Sequence, residues 1–306
     1  MAQLAIRHLG TSELETLFGA KTPTIGLWIG SRFQYAPFTP EHEEILLATI
    51  RDDLLHFTPA GPERKQQWEI GWRENLEAFR ERKTIGALVP KYYRDYQPLR
   101  LHQHMVWPVT PRFELNWFVT LLAWLFKAYL GKTETVYEFG CGSGFNLAGL
   151  AYYMGRDKAY VGLDWAQASV DILDDVRHCW GLNIEGRQFD LFQPDYTLQL
   201  APDSVVLTVA TLEQTGRNYE EFLQYLLSQR PALCVNIEPI VEWYDPDNDV
   251  DQTAILYHRA RNYLEGFPQR LKELEREGRV EILKMKRSYF GSLYHEGYSQ
   301  VIWRPL

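Results

Sequence analysis

The chain has 306 residues, of which 45% are hydrophobic and 24% charged, and its formal net charge is −8. A chain this acidic lacks the basic face that displaces counterions from nucleic acid, so we expect no nucleic-acid partner. Its three cysteines (Cys141, Cys179 and Cys234) lack CxxC spacing, which disfavours a disulfide framework and a metal site and favours a reducing, cytoplasmic location. The most apolar run, 115–130, is too short to span a bilayer, so we expect no membrane partner.

Residues 1–110 show no alternation of strand and helix patterns. A helix is predicted over 41–55, with Thr39 as its N-cap and acids in its first turn. A second helix is predicted over 63–82, where tryptophan, leucine and phenylalanine recur at helical spacing. The sequence therefore predicts a mainly helical N-terminal cap.

The stretch from 91 to 104 is the densest polar and aromatic part of the chain and has no clear period, so it predicts a loop or short extended segments. Loops that carry tyrosine, histidine and arginine often contact substrates. The alternative is that the tyrosines only fill a domain interface. The candidate substrate-binding residues here are Tyr92, Tyr93, His102 and His104.

From residue 113 onward, apolar runs alternate with helix-length segments. An apolar helix is predicted over 113–129, and a long helix over 251–277. Strands are predicted at 136–139, 159–163, 186–190, 204–210, 232–237, 280–286 and 299–303. Near-continuous apolar strands are typical of a parallel sheet covered by helices. We expect an α/β fold with a seven-stranded, mostly parallel sheet, helices on both faces and a closing β-hairpin.

A glycine-rich turn follows the first of these strands. The strand ends at Glu138, and the turn reads Gly140-Cys141-Gly142-Ser143-Gly144-Phe145-Asn146. Alternate glycines let the backbone bend tightly and let a ligand approach the main chain, so we interpret the turn as a ligand site. The dinucleotide fingerprint requires a small residue where Phe145 stands, so a pyrophosphate ligand is disfavoured.

The pattern Glu-Phe-Gly-x-Gly-x-Gly resembles motif I of the class I S-adenosylmethionine (SAM) methyltransferases. The resemblance covers about residues 113–306, and we divide the chain into a cap, 1–110, and a SAM-binding core, 111–306. Two further strand-terminal acids agree with it, because an acid after the second strand can hold ribose hydroxyls. The family places a later acid on the adenine amino group. The implied cofactor-binding residues are Glu138, Gly140, Gly142, Gly144, Asn146, Asp164, Trp165, Phe189 and Asp190.

Candidate catalytic residues follow the later strands. In open α/β sheets the ligand site lies at the carboxyl ends of the strands, so side chains distant in sequence should meet there. Methyl transfer needs alignment and a group that accepts the acceptor's proton. Our candidates for the base are Glu213, Glu238 and His295. Candidates for contact with the acceptor are Gln214, Glu242 and Tyr294.

The favoured function is SAM-dependent methyl transfer to an oxygen or nitrogen of a small polar metabolite or sugar. A peptide or protein side chain is a second possible acceptor. The sequence also leaves open an aminopropyl transferase, whose polycationic substrate would suit the acids at 213, 238, 242 and 245–251, and a non-catalytic binding protein. No Asn-Pro-Pro-Tyr or Asp-Pro-Pro-Tyr motif follows the fourth strand, which disfavours methylation of bases and of glutamine.

Overall fold

The computed structural model describes residues 5–19, 21, 33–153 and 155–306. Its strands are β1 Arg7–His8, β2 Gln34–Pro37, β3 Leu99–Leu101, β4 His104–Pro108, β5 Thr135–Phe139, β6 Ala159–Asp164, β7 Ile184–Gln188, β8 Val205–Val209, β9 Leu233–Glu238, β10 Val280–Lys286, β11 Phe290–Gly291 and β12 Ser299–Pro305. Its α-helices are α1 Thr11–Phe18, α2 Pro40–Asp53, α3 Lys65–Arg82, α4 Ile85–Leu88, α5 Phe113–Leu125, α6 Phe145–Tyr153, α7 Gln167–Trp180, α8 Glu220–Gln229, α9 Asp249–Arg261 and α10 Phe267–Arg276. None of these helices has the length and apolar character needed to cross a bilayer.

The large sheet has seven strands in the order β10-β12-β9-β8-β5-β6-β7. The five strands from β9 to β7 are parallel, and β12 runs antiparallel to both β9 and β10. Successive side chains point to opposite faces, so the neighbours Val205 and Val206 belong to different hydrophobic clusters. Helices α5, α6 and α7 cover one face, and α8 and α10 cover the other. The predicted fold class is confirmed.

The N-terminal region is mainly helical, as predicted, but it also contains a second sheet that no sequence pattern indicates. This sheet is antiparallel, with the order β1-β2-β4-β3-β11. His102 and Gln103 connect β3 to β4 with φ values of 50° and 63°, as a two-residue hairpin turn requires. The usual Asn-Gly signal for such a turn is absent from the sequence, and the strands are short.

Strand β11 joins the two parts of the chain. It comes from the C-terminal segment, yet it pairs with β3 of the cap. Phe290, which lies in this strand, stacks on Trp117 of α5 with ring centroids 4.2 Å apart. The boundary between 110 and 111 therefore stays a prediction, because a sheet and a hydrophobic cluster both extend across it.

The prediction of one helix over 251–277 is wrong. The chain forms α9 and α10, which are separated by a break of five residues. Asn262 ends α9 in the left-handed conformation (φ 51°), and Gly266 precedes α10 with φ 86°. Pro268 then occupies the first turn of α10, where its missing N–H has no cost.

A buried ion network fixes the segment between β10 and β12, residues 287–298. The Arg287 guanidinium donates to Asp251 at 2.6 and 2.7 Å and to Glu296 at 2.8 Å. The side chains of the three residues are 8%, 1% and 2% exposed. Arg100 adds a second buried contact, because it donates to the carbonyl of Leu293 at 3.1 Å. These bonds hold the segment against α9 and the small sheet.

Candidate active site

The carboxyl ends of β5, β6 and β8 open onto two connected hollows. We call the first the narrow pocket; it is lined by Trp68, Trp72, Gly140, Asp164, Trp165, Leu191, Phe192, Ala210, Thr211, Gln214 and Thr215. The second, which we call the aromatic cavity, has a volume of about 420 Å³. Both hollows are lined by Trp68, Trp72, Gly140 and Ala210. Because Trp68 and Trp72 lie in α3, a helix of the cap forms part of the site.

The three glycines of the turn have left-handed backbones, with φ values of 69°, 54° and 69° at Gly140, Gly142 and Gly144. A side chain at Gly142 would meet the ring of Trp72 at 2.7 Å, and one at Gly140 would meet Thr211. The protein's own packing therefore already accounts for these glycines. Our interpretation that the turn is a ligand site stays a prediction, and the glycines alone do not decide it because packing also requires them.

Asp164 ends β6 and faces the narrow pocket. Its Oδ2 accepts from the Gly142 N–H and its Oδ1 from the Ala166 N–H, both at 2.9 Å. Burial raises the pKa of this carboxyl to about 6. Each carboxylate oxygen has more than one lone pair, so both can still accept from a ligand hydroxyl. The two backbone hydrogen bonds fix the orientation of the Asp164 carboxylate, which could then accept from the two hydroxyls of a diol.

Trp165 and Phe192 provide an aromatic wall beside this carboxylate. Their rings stack with centroids 6.0 Å apart and an interplanar angle of 21°. Both residues line the narrow pocket, together with Leu191. The pocket thus combines one carboxylate with flat apolar surfaces, which is the chemistry that fits the ribose and the base of a nucleoside.

Phe189 and Asp190 do not line the narrow pocket. Phe189 packs in the hydrophobic cluster on one face of the sheet, with its ring 4.9 Å from that of Phe139. The Oδ1 of Asp190 accepts from the Phe192 N–H at 2.9 Å and so shapes the loop beneath the pocket. Strand β7 ends at Gln188, so Leu191 and Phe192 reach the pocket instead. The predicted contacts of Phe189 and Asp190 with the cofactor stay predictions, because neither residue lines the narrow pocket.

Glu138 carries an unsatisfied oxygen beneath the glycine turn. Its Oε1 accepts from the Asn146 side chain at 2.6 Å, while its buried Oε2 has no hydrogen-bond partner among the residues described. Burial raises the pKa of this carboxyl to about 8. An unpaired buried acceptor costs about 1–3 kcal/mol, but Glu138 is fully buried and lines neither hollow, so its predicted contact with the cofactor stays a prediction. Asn146 itself lines the aromatic cavity.

Glu213 follows β8 on a short 3-10 turn and lines the aromatic cavity. Its side chain lies 6% exposed, with Oε1 accepting from the Gln214 amide at 2.7 Å. Oε2 is buried and has no hydrogen-bond partner within the described ranges. Burial, and secondarily the nearby carboxylate of Glu238, raises the pKa of Glu213 to about 8. The orientation of the Gln214 amide is fixed, because Arg64 donates to its side-chain oxygen Oε1 at 2.8 Å.

Glu238 supports Glu213 and does not line either hollow. Its carboxylate accepts from the backbone N–H groups of Thr211 and Leu212 at 3.1 Å and of Glu213 at 3.2 Å. Burial raises the pKa of Glu238 to about 7. With its oxygens engaged by three donors, it fixes the loop that carries Glu213. Its predicted role as the base stays a prediction without support from the geometry.

His295, Tyr294, Tyr92 and Tyr93 all line the aromatic cavity. Burial holds the pKa of His295 well below its usual range, so the ring is neutral. Its Nδ1 is buried without a partner among the described residues. Tyr294 is oriented by Asp53, which accepts from its hydroxyl at 3.0 Å. His295 is thus a second candidate base in the cavity, and its lowered pKa makes it a weaker proton acceptor than Glu213.

His102, His104 and Glu242 do not line either hollow. His102 lies in the exposed turn of the small sheet, and His104 lies 3.8 Å from Glu43 with its side chain 72% exposed. Glu242 accepts from the Gly266 N–H at the start of α10. Glu242 and Asp251 therefore both have structural partners, the Gly266 N–H and the Arg287 guanidinium. The acid cluster that would suit the substrate of an aminopropyl transferase does not converge on one site.

Several residues of the lining carry no distinct sequence signal. The spacing of Trp68 and Trp72 indicates only a packing face of a helix, and tertiary structure is needed to show that it reaches the glycine turn. Glu114 is an exception, because an isolated acid in the first turn of the otherwise apolar helix α5 could have marked it as a lining residue. Tyr257, Tyr263 and Tyr298 also line the aromatic cavity, and an aromatic residue at any of these positions is equally typical of a core.

Comparison with known proteins gives two results. No family model and no curated protein matches the sequence. Similar solved structures include a SAM-dependent methyltransferase from Aquifex aeolicus (17% identity, 56% of this chain and 81% of that chain, TM-score 0.37). Two more are the methyltransferase domain of bacterial CtHen1 (18%, 61% and 96%, TM-score 0.41) and the [4+2]-cyclase SpnF (14%, 61% and 82%, TM-score 0.43).

At these identities and TM-scores the likenesses say nothing about substrate or reaction. The observed order and direction of the seven strands agree with the predicted sheet. The chain has the predicted α/β fold with a seven-stranded, mostly parallel sheet, and its activity has to be argued from the site.

Proposed function

We propose that the protein binds SAM in the narrow pocket and transfers its methyl group to a nitrogen or oxygen of a small acceptor in the aromatic cavity. One observation supports this most strongly. The Asp164 carboxylate faces the narrow pocket, and the free Oε2 of Glu213 lies in a residue that lines the adjoining cavity. A nucleoside site thus borders a chamber that contains a candidate general base.

The residues that line the narrow pocket suit the nucleoside part of SAM, and the pocket's volume of about 70 Å³ leaves the amino-acid tail to the adjoining aromatic cavity. Asp164 would accept from the ribose hydroxyls, and Trp165 and Phe192 would lie against the adenine. The amino-acid tail would lie near the glycine turn, where Gly142, Ser143 and Asn146 line the aromatic cavity. When bound, SAM supplies a methyl group on a positively charged sulfur.

The protein's own part is to orient the acceptor and to remove its proton. Holding two reactants in line can lower a barrier by roughly 7–11 kcal/mol in the best cases, so alignment of the acceptor with SAM would be a large contribution. A general base adds about 10²–10⁴-fold. Glu213 is placed for this role by Gln214 and Glu238. The cavity volume of about 420 Å³ suits a small molecule.

The Asp164→Ala variant tests the nucleoside site. We expect SAM affinity to fall by more than about tenfold, because two charge-assisted hydrogen bonds to the ribose are lost. Isothermal calorimetry measures the change. Asp174→Ala, on the exposed side of the neighbouring helix α7, is the matched control and should bind as the wild type does. Unchanged affinity in Asp164→Ala would place the ribose elsewhere.

The pH dependence of turnover tests the base. Glu213 must be ionised to accept a proton, and the pKa of its carboxyl is raised to about 8. We therefore expect kcat/KM to rise about tenfold per unit below pH 8 and to level off above it. The acceptor for this assay is identified first. Fractionated metabolites are incubated with the protein and with SAM that carries a radiolabelled methyl group, and the labelled fraction contains the acceptor. A profile that falls between pH 6 and 8 would exclude Glu213 as the base.

A further inference from the structure

Aromatic side chains dominate the wall of the aromatic cavity. Its tyrosines are Tyr92, Tyr93, Tyr257, Tyr263, Tyr294 and Tyr298. An aromatic ring attracts a cation to its face, by about 0.5–1 kcal/mol at exposed sites and by about 2 or more where water is excluded. A cavity with so many rings is therefore suited to a positively charged organic group.

A carboxylate without a cationic partner lies in the same wall. Glu114 accepts from the Tyr298 hydroxyl at 2.8 Å, and the Tyr93 hydroxyl lies 3.5 Å from that of Tyr298. Burial raises the pKa of Glu114 to about 7, and no charged neighbour contributes to the shift. Glu114 is partly buried, and a carboxylate that keeps its charge in such an apolar wall normally has a cation beside it. Here the described part of the chain does not provide one.

Of the arginines near the cavity, Arg64 and Arg261 are occupied elsewhere, and Arg94 does not contribute to the pKa of Glu114. Arg64 donates to Gln214, and Arg261 donates to the carbonyl of Thr58 and the hydroxyl of Tyr263, so both lie on the Glu213 side. Arg94 lines the cavity with an exposed side chain close to Tyr294. Glu114 is therefore available to a ligand cation.

We propose that the acceptor is an organic amine, which enters the aromatic cavity as an ammonium ion held by the tyrosine faces and Glu114. This inference rests on the proposed function and narrows its acceptor class from nitrogen or oxygen to amine nitrogen. The ammonium gives one proton to the free Oε2 of Glu213. The nitrogen lone pair then forms a bond to the methyl carbon of SAM, while the carbon–sulfur bond breaks and the sulfur keeps its electron pair.

The acid strength of Glu213 suits this proton transfer. An alkylammonium has a pKa near that of lysine, about 10.4, which is roughly six units above an ordinary glutamate. Because burial raises the pKa of Glu213 to about 8, the difference shrinks to roughly two units. A sugar or alcohol acceptor offers no cation to Glu114, so this carboxylate would remain unpaired.

The test compares two ligands that differ only in the charged group. Phenethylamine and 2-phenylethanol are titrated by calorimetry at pH 8.0 into the protein saturated with S-adenosylhomocysteine. We expect the amine to bind at least tenfold more tightly. In Glu114→Gln this preference should fall at least fivefold, with the affinity for S-adenosylhomocysteine unchanged. Tyr298→Phe, which removes the hydroxyl that Glu114 accepts from, serves as a second variant and should also reduce the preference.

Glu134→Gln is the matched control, because Glu134 is exposed and precedes β5, at the amino-terminal end of the strand and away from the cavity. It should keep the full preference for the amine. Equal or tighter binding of the alcohol by the wild type, or binding of neither ligand, would overturn the amine proposal. Failure of S-adenosylhomocysteine itself to bind would instead contradict the proposed function, and the two ligands can then be titrated alone.

Discussion

Glu213→Gln should lower kcat by about 10²–10³-fold while SAM affinity stays within about twofold of the wild type. The amide keeps the shape of the side chain and its contact with Gln214 but cannot accept a proton from the acceptor. Because Glu213 lines the aromatic cavity and not the narrow pocket, cofactor binding should be unaffected. Single-turnover rates with the acceptor and calorimetry with SAM measure the two effects separately.

Two further variants make this result interpretable. Glu221→Gln removes the same charge from an exposed position on α8 and should leave both quantities unchanged. In His295→Ala we expect a smaller loss of rate, because His295 is the remaining candidate base in the cavity. If Glu213→Gln keeps the full rate and His295→Ala loses it, the two assignments are reversed.

Arg287→Ala should lower the free energy of unfolding by about 3–5 kcal/mol, because it leaves two buried carboxylates without their cation. Asp251 and Glu296 are 1% and 2% exposed, so water cannot replace the guanidinium. Equilibrium unfolding in urea measures the loss. Since the network fixes the segment that carries His295 and Tyr298, ligand binding in the aromatic cavity should weaken as well.

Arg304→Ala provides the control for this prediction. Arg304 also pairs with a glutamate, Glu281, but the side chains are 50% and 42% exposed. Exposed ion pairs contribute roughly 0–1 kcal/mol, so this variant should be almost as stable as the wild type. Equal losses in the two variants would mean that burial of the Arg287 network does not determine its contribution.

The large sheet can be predicted because its information is local. Most of its strands are short apolar runs, and the acids that end strands, such as Glu138 and Asp164, lie at positions that the parallel arrangement brings together. Thr39 is predictable as an N-cap for the same reason, and its hydroxyl accepts from the His42 N–H at 3.3 Å. Such features depend on a few neighbouring residues.

The remaining features depend on contacts between distant residues. Strand β11 pairs with β3, which lies far away in the sequence. Because β11 has only two residues, it contains no hydrophobic pattern from which it could be predicted. Glu213 and Glu238 both lie at or just after the carboxyl end of a strand. Three backbone N–H groups donate to Glu238, however, while one oxygen of Glu213 has no partner among the described residues. Trp72 likewise reaches the glycine turn only through the packing of α3.

Binding of SAM in the narrow pocket is tested most directly by a calorimetric titration of the wild-type protein with SAM. We predict saturable heat with one site per chain, and competition by S-adenosylhomocysteine but not by a dinucleotide, since Phe145 stands where the dinucleotide motif needs a small residue. No saturable heat with SAM, or binding of a dinucleotide in its place, would contradict the assignment of the narrow pocket.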